Sequence, residues 1–209
     1  NISLINDLPV FIDPFLIFNS KKSEYQLLHR DMIKYIRFLR DKTNSGLVNP
    51  GLKLGWFRFG EVKQNWLGYT TTGNSGTGLG ANFADELHDN LNSIFANFGD
   101  EKVTKGSHIE KLSLITDGVG RDNISDFVTN LIKAYLLEYT QTFARVHIDT
   151  ALRRTVRVPK VRFNYTTETW ESDEFDLPFY GNDYVVLTPK DMLTKDEMWI
   201  SQKGLIGDF

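Results

Sequence analysis

At 209 residues, 41% of them hydrophobic, the chain is long enough to bury one real core and short for two. A net charge of −3 and a pI near 5.8 exclude a general basic footprint for nucleic acid and leave room only for a local patch. With no cysteine, disulfides, thiolate metal sites and cysteine nucleophiles are excluded, and a reducing, cytoplasmic setting is expected.

The longest apolar block, "PVFIDPFLIF", is split by Asp13 and Pro14. Nothing approaches the roughly 18 apolar residues of a membrane span, and the block lacks the basic start and small-residue cleavage site of a signal peptide. Residue 1 is Asn, so the chain is expected to be a piece of a longer polypeptide with flanking domains. Residues 8 to 18 read as short extended segments, with Pro9 and Pro14 blocking a continuous helix. "SEYQLLHRDMIKYIRFLRDK" then places Tyr25, Leu28, Met32, Ile36 and Leu39 on one helical stripe, with Ser23 as its cap. "TNSGLVNPG" reads as a loop, and "LKLGWFRFGEVKQNWLGYTTT" as irregular or short-stranded.

After the glycine cluster "GNSGTGLG", the residues Phe83, Leu87, Leu91, Ile94, Phe95 and Phe98 make a second helical stripe, stopped by Gly99. "HIEKLSLIT" reads as a strand. Val128, Leu131, Ile132, Tyr135, Tyr139 and Phe143 mark the apolar face of a third helix. The last third, "VRVPKVRFNYTTETW", "EFDLPF" and "YVVLTPK", reads as strands joined by turns such as "YGND". The expectation is a single α+β domain over residues 1–209, with N-terminal helices packed on a mostly antiparallel sheet formed largely by the C-terminal third.

The most informative stretch is "TDGVGRDNISD". Gly118 and Gly120 permit a sharp turn, Asn123 or Ser125 can cap the following helix, and Asp126 suits the positive end of its dipole. Capping explains Asp126 and Asn123 well and Asp117 poorly. The sharper reading is a cation site: Mg²⁺ or Mn²⁺ takes carboxylate oxygens, and a strand end followed by a helix start can aim Asp117, Asp122 and Asp126 at one point. Asp126, Asn130 and Lys133 follow on one polar stripe opposite the apolar one.

Other constellations are thinner. "GTGLGA" has the spacing of a dinucleotide loop but no preceding buried strand. "WFRFGEVKQNWLGY" interleaves Trp56, Arg58, Lys63, Trp66 and Tyr69, a composition that stacks on bases or seats a partner chain, or closes the edge of a core. The four histidines are scattered without H-E-x-x-H, and no serine sits in a nucleophile elbow.

Three resemblances attach to these residues. "DELHDNLNSIF" followed by "DGVG" resembles the ATP-binding fold of gyrases and histidine kinases, with Thr116 where that family has an aspartate. "DEFDLPFYGNDYVVLTPK" is similar to the sheet of PD-(D/E)XK nucleases, in which carboxylates hold Mg²⁺ and a lysine acts on the scissile phosphate. Lys190 matches that lysine, and Glu174 or Asp176 an acidic ligand; the E-x-K tripeptide is absent, Thr188 standing two residues before Lys190. "GVGRDNISDFVTNLI…YLLEYTQ", with "LPVFIDPFLIFN" and "VVLTPKDML", resembles a group of larger, uncharacterised bacterial proteins carrying a GxGxDxISDxxTN motif, a class in which anti-phage defence is the expected setting.

Two functions are therefore expected from the sequence. One is a metal-dependent phosphodiesterase or nuclease-like domain, with Asp117, Asp122 and Asp126 holding Mg²⁺ or Mn²⁺, Lys190 at the phosphate, and nucleic acid as substrate. The other is a non-catalytic recognition or assembly domain that meets a partner protein through Trp56, Arg58, Lys63 and Trp66.

Overall fold

A computed structural model describes residues 7–68, 81–94 and 121–195, and it is α+β. The chain enters through a short strand, β1 (Val10–Ile12). Pro14 opens a helix rather than blocking one: α1 (Pro14–Asn19) starts with Pro14, and the Asp13 side chain caps it by accepting from Phe15 N at 2.8 Å. A proline in the first turn forfeits no helical hydrogen bond. The same device starts α3 (Pro50–Trp56) inside the stretch expected as loop, where the Asn49 side chain accepts from Leu52 N at 2.9 Å.

Between them lies α2 (Ser23–Asn44), whose buried residues Tyr25, Met32, Tyr35, Ile36 and Leu39 follow the expected stripe. Ser23 is its first residue; the cap position is Lys22, which makes no side-chain cap. In α4 (Ala81–Ile94), Phe83, Leu87 and Leu91 are buried. The glycine cluster, Phe95, Phe98, Gly99 and the expected strand "HIEKLSLIT" lie outside the described residues.

The third helix is two helices. α5 (Arg121–Leu131) and α6 (Lys133–His147) meet at Ile132, whose backbone leaves the helical region at φ −100, ψ 11. Ser125 lies inside α5, buried, with its hydroxyl accepting from Ile12 N at 3.0 Å; it ties the helix to β1 rather than capping it. Past the break the buried face moves on: Leu136, Leu137, Thr140 and Ala144 are covered, whereas Tyr139 and Phe143 are 39% and 40% exposed. Beyond Ile132 the expected apolar stripe is only partly covered: Tyr135 is half-buried against the core, and Tyr139 and Phe143 are exposed.

The C-terminal strands are antiparallel, as expected, but form two small sheets. β2 (Arg153–Asn164) and β3 (Thr169–Tyr180) make a long hairpin, and β4 (Asp183–Tyr184) adds to β3 through a turn with Gly181 at φ +59. That positive φ is what a glycine supplies at no steric cost. β4 is far shorter than the strand expected over "YVVLTPK". β5 (Leu193–Lys195) instead pairs with β1, Phe11 opposite Thr194, so that residues far apart in sequence close on each other.

Between Val158 and Arg162 the register of β2 shifts. Pro159 offers no N–H there and Lys160 takes φ +52, so the strand bulges. One hydrophobic cluster draws on both sheets and all the helices, from Ile17 and Met32 through Phe57, Leu87 and Phe127 to Leu136, Phe175 and Met192. Tyr35 joins its layers: its hydroxyl donates to Trp56 O at 2.7 Å and accepts from Trp170 Nε1 at 3.1 Å, linking α2, α3 and β3.

Candidate functional site

Asp117 lies outside the described residues, and of Asp122 only the backbone, in the first turn of α5, is described. Asp126 is half-buried one turn further on, and its main-chain oxygen accepts from Asn130 Nδ2 at 2.8 Å. The polar stripe read from the sequence is real but more embedded than a solvent face. Asn130 is buried, its amide also donating to Gly60 O at 2.7 Å, and Lys133 Nζ donates to Pro159 O at 3.0 Å. These two side chains fasten α5 and α6 to the 57–62 loop and to the β2 bulge. Among the described residues, no group of three or more acidic or histidine side chains is gathered for a metal ion.

Lys190 is exposed in a single 3₁₀ turn, Lys190–Met192. It borders a wide cleft of about 1080 Å³ to which α5 contributes no residue, so Lys190 and Asp126 serve different surfaces. The two acidic residues paired with Lys190 by resemblance are not free ligands grouped around it. Asp176 binds Arg153 at 2.6 Å and approaches Arg145 at 3.7 Å, while Glu174 stands opposite Arg157 in the hairpin.

The aromatic-basic stretch separates by chemistry. Trp56 is buried, packs edge-on against Phe38 at 5.2 Å and donates its Nε1 to Glu168 O at 2.7 Å. Trp66 is buried too, turned inward by a left-handed backbone at φ +55. Both rings belong to the packed interior. Lys63 remains outside and reaches Asp183 at 3.6 Å, and Arg58 is exposed. A flat binding platform made of Trp56, Arg58, Lys63 and Trp66 together is therefore not what these residues form.

The cleft is the larger feature. α6 supplies Tyr135, Tyr139 and Phe143, the rings of Tyr135 and Tyr139 stacking at 6.4 Å and 15°. Phe179 and Tyr180 at the end of β3 and Leu152 stand across from them, with Tyr180 and Leu152 51% and 59% exposed. One end is polar. Asp191 accepts from Lys22 Nζ at 2.6 Å and from Tyr25 Oη at 2.8 Å. Partial burial pulls the Asp191 carboxyl upward, but these two bonds overcome it and hold the group below its ordinary pKa. The hydrogen bond to Asp191 raises the Lys22 ammonium, and burial, then Asp191, pushes the Tyr25 phenol well up. The end of the cleft thus keeps a neutral phenol and a tied ion pair through the physiological range.

The sequence could not present this site. Tyr139 and Phe143 share the periodicity of core residues, and Lys22 and Asp191 are 169 positions apart. No helix among the described residues is long and apolar enough to cross a membrane. No curated protein and no solved structure matches the chain. One family model does, over residues 1–201, and the chain belongs to that family, described as a domain of unknown function, DUF8370.

Proposed function

We propose that this chain is a non-catalytic recognition domain of a longer bacterial polypeptide, and that its contact surface is the cleft between α6 and the end of β3. The partner is a protein segment bearing apolar or aromatic side chains. One observation carries the reading: Tyr139, Phe143, Tyr180 and Leu152 keep 39%, 40%, 51% and 59% of their surface in water beside a cleft of about 1080 Å³. Clustered exposed rings bordering a concavity are the composition of an interface core, whereas singly scattered ones are ordinary. Covering a cluster of this kind contributes roughly 25 cal/mol for each Å² removed from water.

A photo-crosslinking amino acid at position 139 or 143, compared with one at exposed Leu47, which does not line the cleft, tests this in the producing cell. Adducts confined to the cleft positions are expected. Equal labelling at all three positions, or none in the cleft, removes the proposal.

A second reading, a Mg²⁺- or Mn²⁺-dependent phosphodiesterase or nuclease of anti-phage defence, is favoured by one observation. Asp126 shares a helix stripe with Asn130 and leads toward Lys133, so acidic and basic groups follow each other along α5 and α6. Mg²⁺ or Mn²⁺ should then raise the melting temperature of the wild type but not of Asp122→Ala, and metal-dependent cleavage of single- or double-stranded DNA or RNA should accompany it. Cleavage that survives in Asp122→Ala would exclude this assignment.

A further inference from the structure

Three cations meet where the 57–62 loop, the start of α6 and the β2 bulge converge. Lys133 Nζ donates to Pro159 O at 3.0 Å, and Lys160 Nζ reaches Arg58 O at 3.5 Å. Each lysine thus reaches a main-chain carbonyl on a neighbouring segment, and Arg58 is the residue whose carbonyl Lys160 approaches. No carboxylate of a described residue lies within 4.0 Å of any of the three. The contrast is local: two residues along β2, Arg162 is neutralised by both Glu138 and Asp173.

Burial, and after it the neighbouring cation, disfavours the charged form of both ammonium groups. Burial first, and then Lys160, lowers the Lys133 pKa to about 8; burial and then Arg58 lower that of Lys160. Each ammonium has three N–H bonds and spends one on a carbonyl, leaving donors for a ligand.

We propose that Arg58, Lys133 and Lys160 form a binding site for a phosphoryl group, held as free phosphate or as part of a phosphodiester backbone. Three neighbouring cations suit a tetrahedral phosphoryl group, whose several oxygens can be shared among them, better than a single carboxylate, because lysine binds phosphate as a point charge and arginine adds a planar pair of donors. The bulge belongs to the site: there Lys160 takes φ +52 and its ammonium reaches the Arg58 carbonyl. The site lies on residues that do not line the cleft, so it does not depend on the recognition reading, and it requires no metal.

The test titrates the 209-residue chain at constant ionic strength with inorganic phosphate, and separately with a short fluorescein-labelled oligothymidine. The Lys133 Cε resonance is followed by NMR, and affinities are compared with those of Arg58→Gln and Lys160→Gln. Saturation should raise the Lys133 pKa by roughly one unit, and each variant should bind about fivefold more weakly. Both substitutions are at exposed positions, so they keep the test open where Lys133→Gln fails to fold. Response to phosphate alone names a free phosphate or monoester as ligand, and tighter binding of the oligonucleotide names the phosphodiester backbone. Affinities unchanged in both variants, or a Lys133 signal that neither ligand moves, overturn the site.

Discussion

The Asn130 carboxamide, buried on α5, donates to Gly60 O at 2.7 Å and to Asp126 O at 2.8 Å, so one side chain joins its own helix to a loop 70 residues earlier in the chain. The loop it holds is the one that carries Arg58, and the helix it holds leads into Lys133. Whatever the phosphoryl site binds, Asn130 sets the distance between its two halves.

That dual role predicts an asymmetric response to substitution. Asn130→Asp replaces a donor by a carboxylate facing two carbonyl oxygens in a buried place. It should cost about 2–3 kcal/mol in urea unfolding at neutral pH. Acidification through the carboxylate range should recover part of it, since a protonated Asp can donate once. A loss below about 0.5 kcal/mol would show that the Gly60 loop is held elsewhere.

Tyr35 gives a cleaner measurement of a buried polar link. Tyr35→Phe preserves the ring that meets Phe163 at 4.9 Å but removes the hydroxyl serving Trp56 O and Trp170 Nε1. Leaving two partners unsatisfied should destabilise by about 1–2 kcal/mol without altering the dependence on denaturant. An unchanged unfolding midpoint would mean that water replaces the hydroxyl.

Lys133 makes stability depend on pH in a definite direction. Its folded pKa, about 8, lies below that of an unfolded lysine, about 10.4, so between these values the unfolded chain binds more protons and stability rises with pH. The buried tyrosines act oppositely at higher pH, because Tyr35 is raised by burial. The informative quantity is therefore wild type minus Lys133→Gln, which should grow in favour of the wild type from pH 8 to 10. A difference flat across that window would contradict the burial of the ammonium.

The cleft aromatics should matter more to contact than to folding. Tyr139→Gln and Phe143→Glu alter residues 39% and 40% exposed, so each should cost about 1–2 kcal/mol, below the roughly 3–5 kcal/mol of a core ring. Crosslinks from position 139 should disappear in Phe143→Glu, and those from position 143 in Tyr139→Gln. A fall of several kcal/mol in either would place these rings in the core after all and withdraw the cleft as an interface.

Where the order of residues along the chain decides the physics, the sequence was sufficient. The stripe of Tyr25, Met32, Ile36 and Leu39 is buried because helical periodicity is local, and the "YGND" turn arises from the backbone freedom of Gly181. The α+β composition and the antiparallel C-terminal strands were legible for the same reason. The starts of α1 at Pro14 and of α3 at Pro50 are local too, set by the Asp-Pro and Asn-Pro pairs that cap and open each helix.

Tertiary structure alone decided the rest. Packing left Tyr139 and Phe143 of α6 exposed, and the interior claimed Trp56 and Trp66 from a stretch that also reads as a binding surface. Pairing of β1 with β5 stands beside the link of Lys22 to Asp191, and the bulge at Pro159 brought Lys160 to Arg58, 102 positions away. Both the cleft and the cation cluster consist of contacts between segments remote in sequence. Such contacts are chosen by the packing of the whole core, and no local pattern of residues encodes which surfaces that packing leaves uncovered.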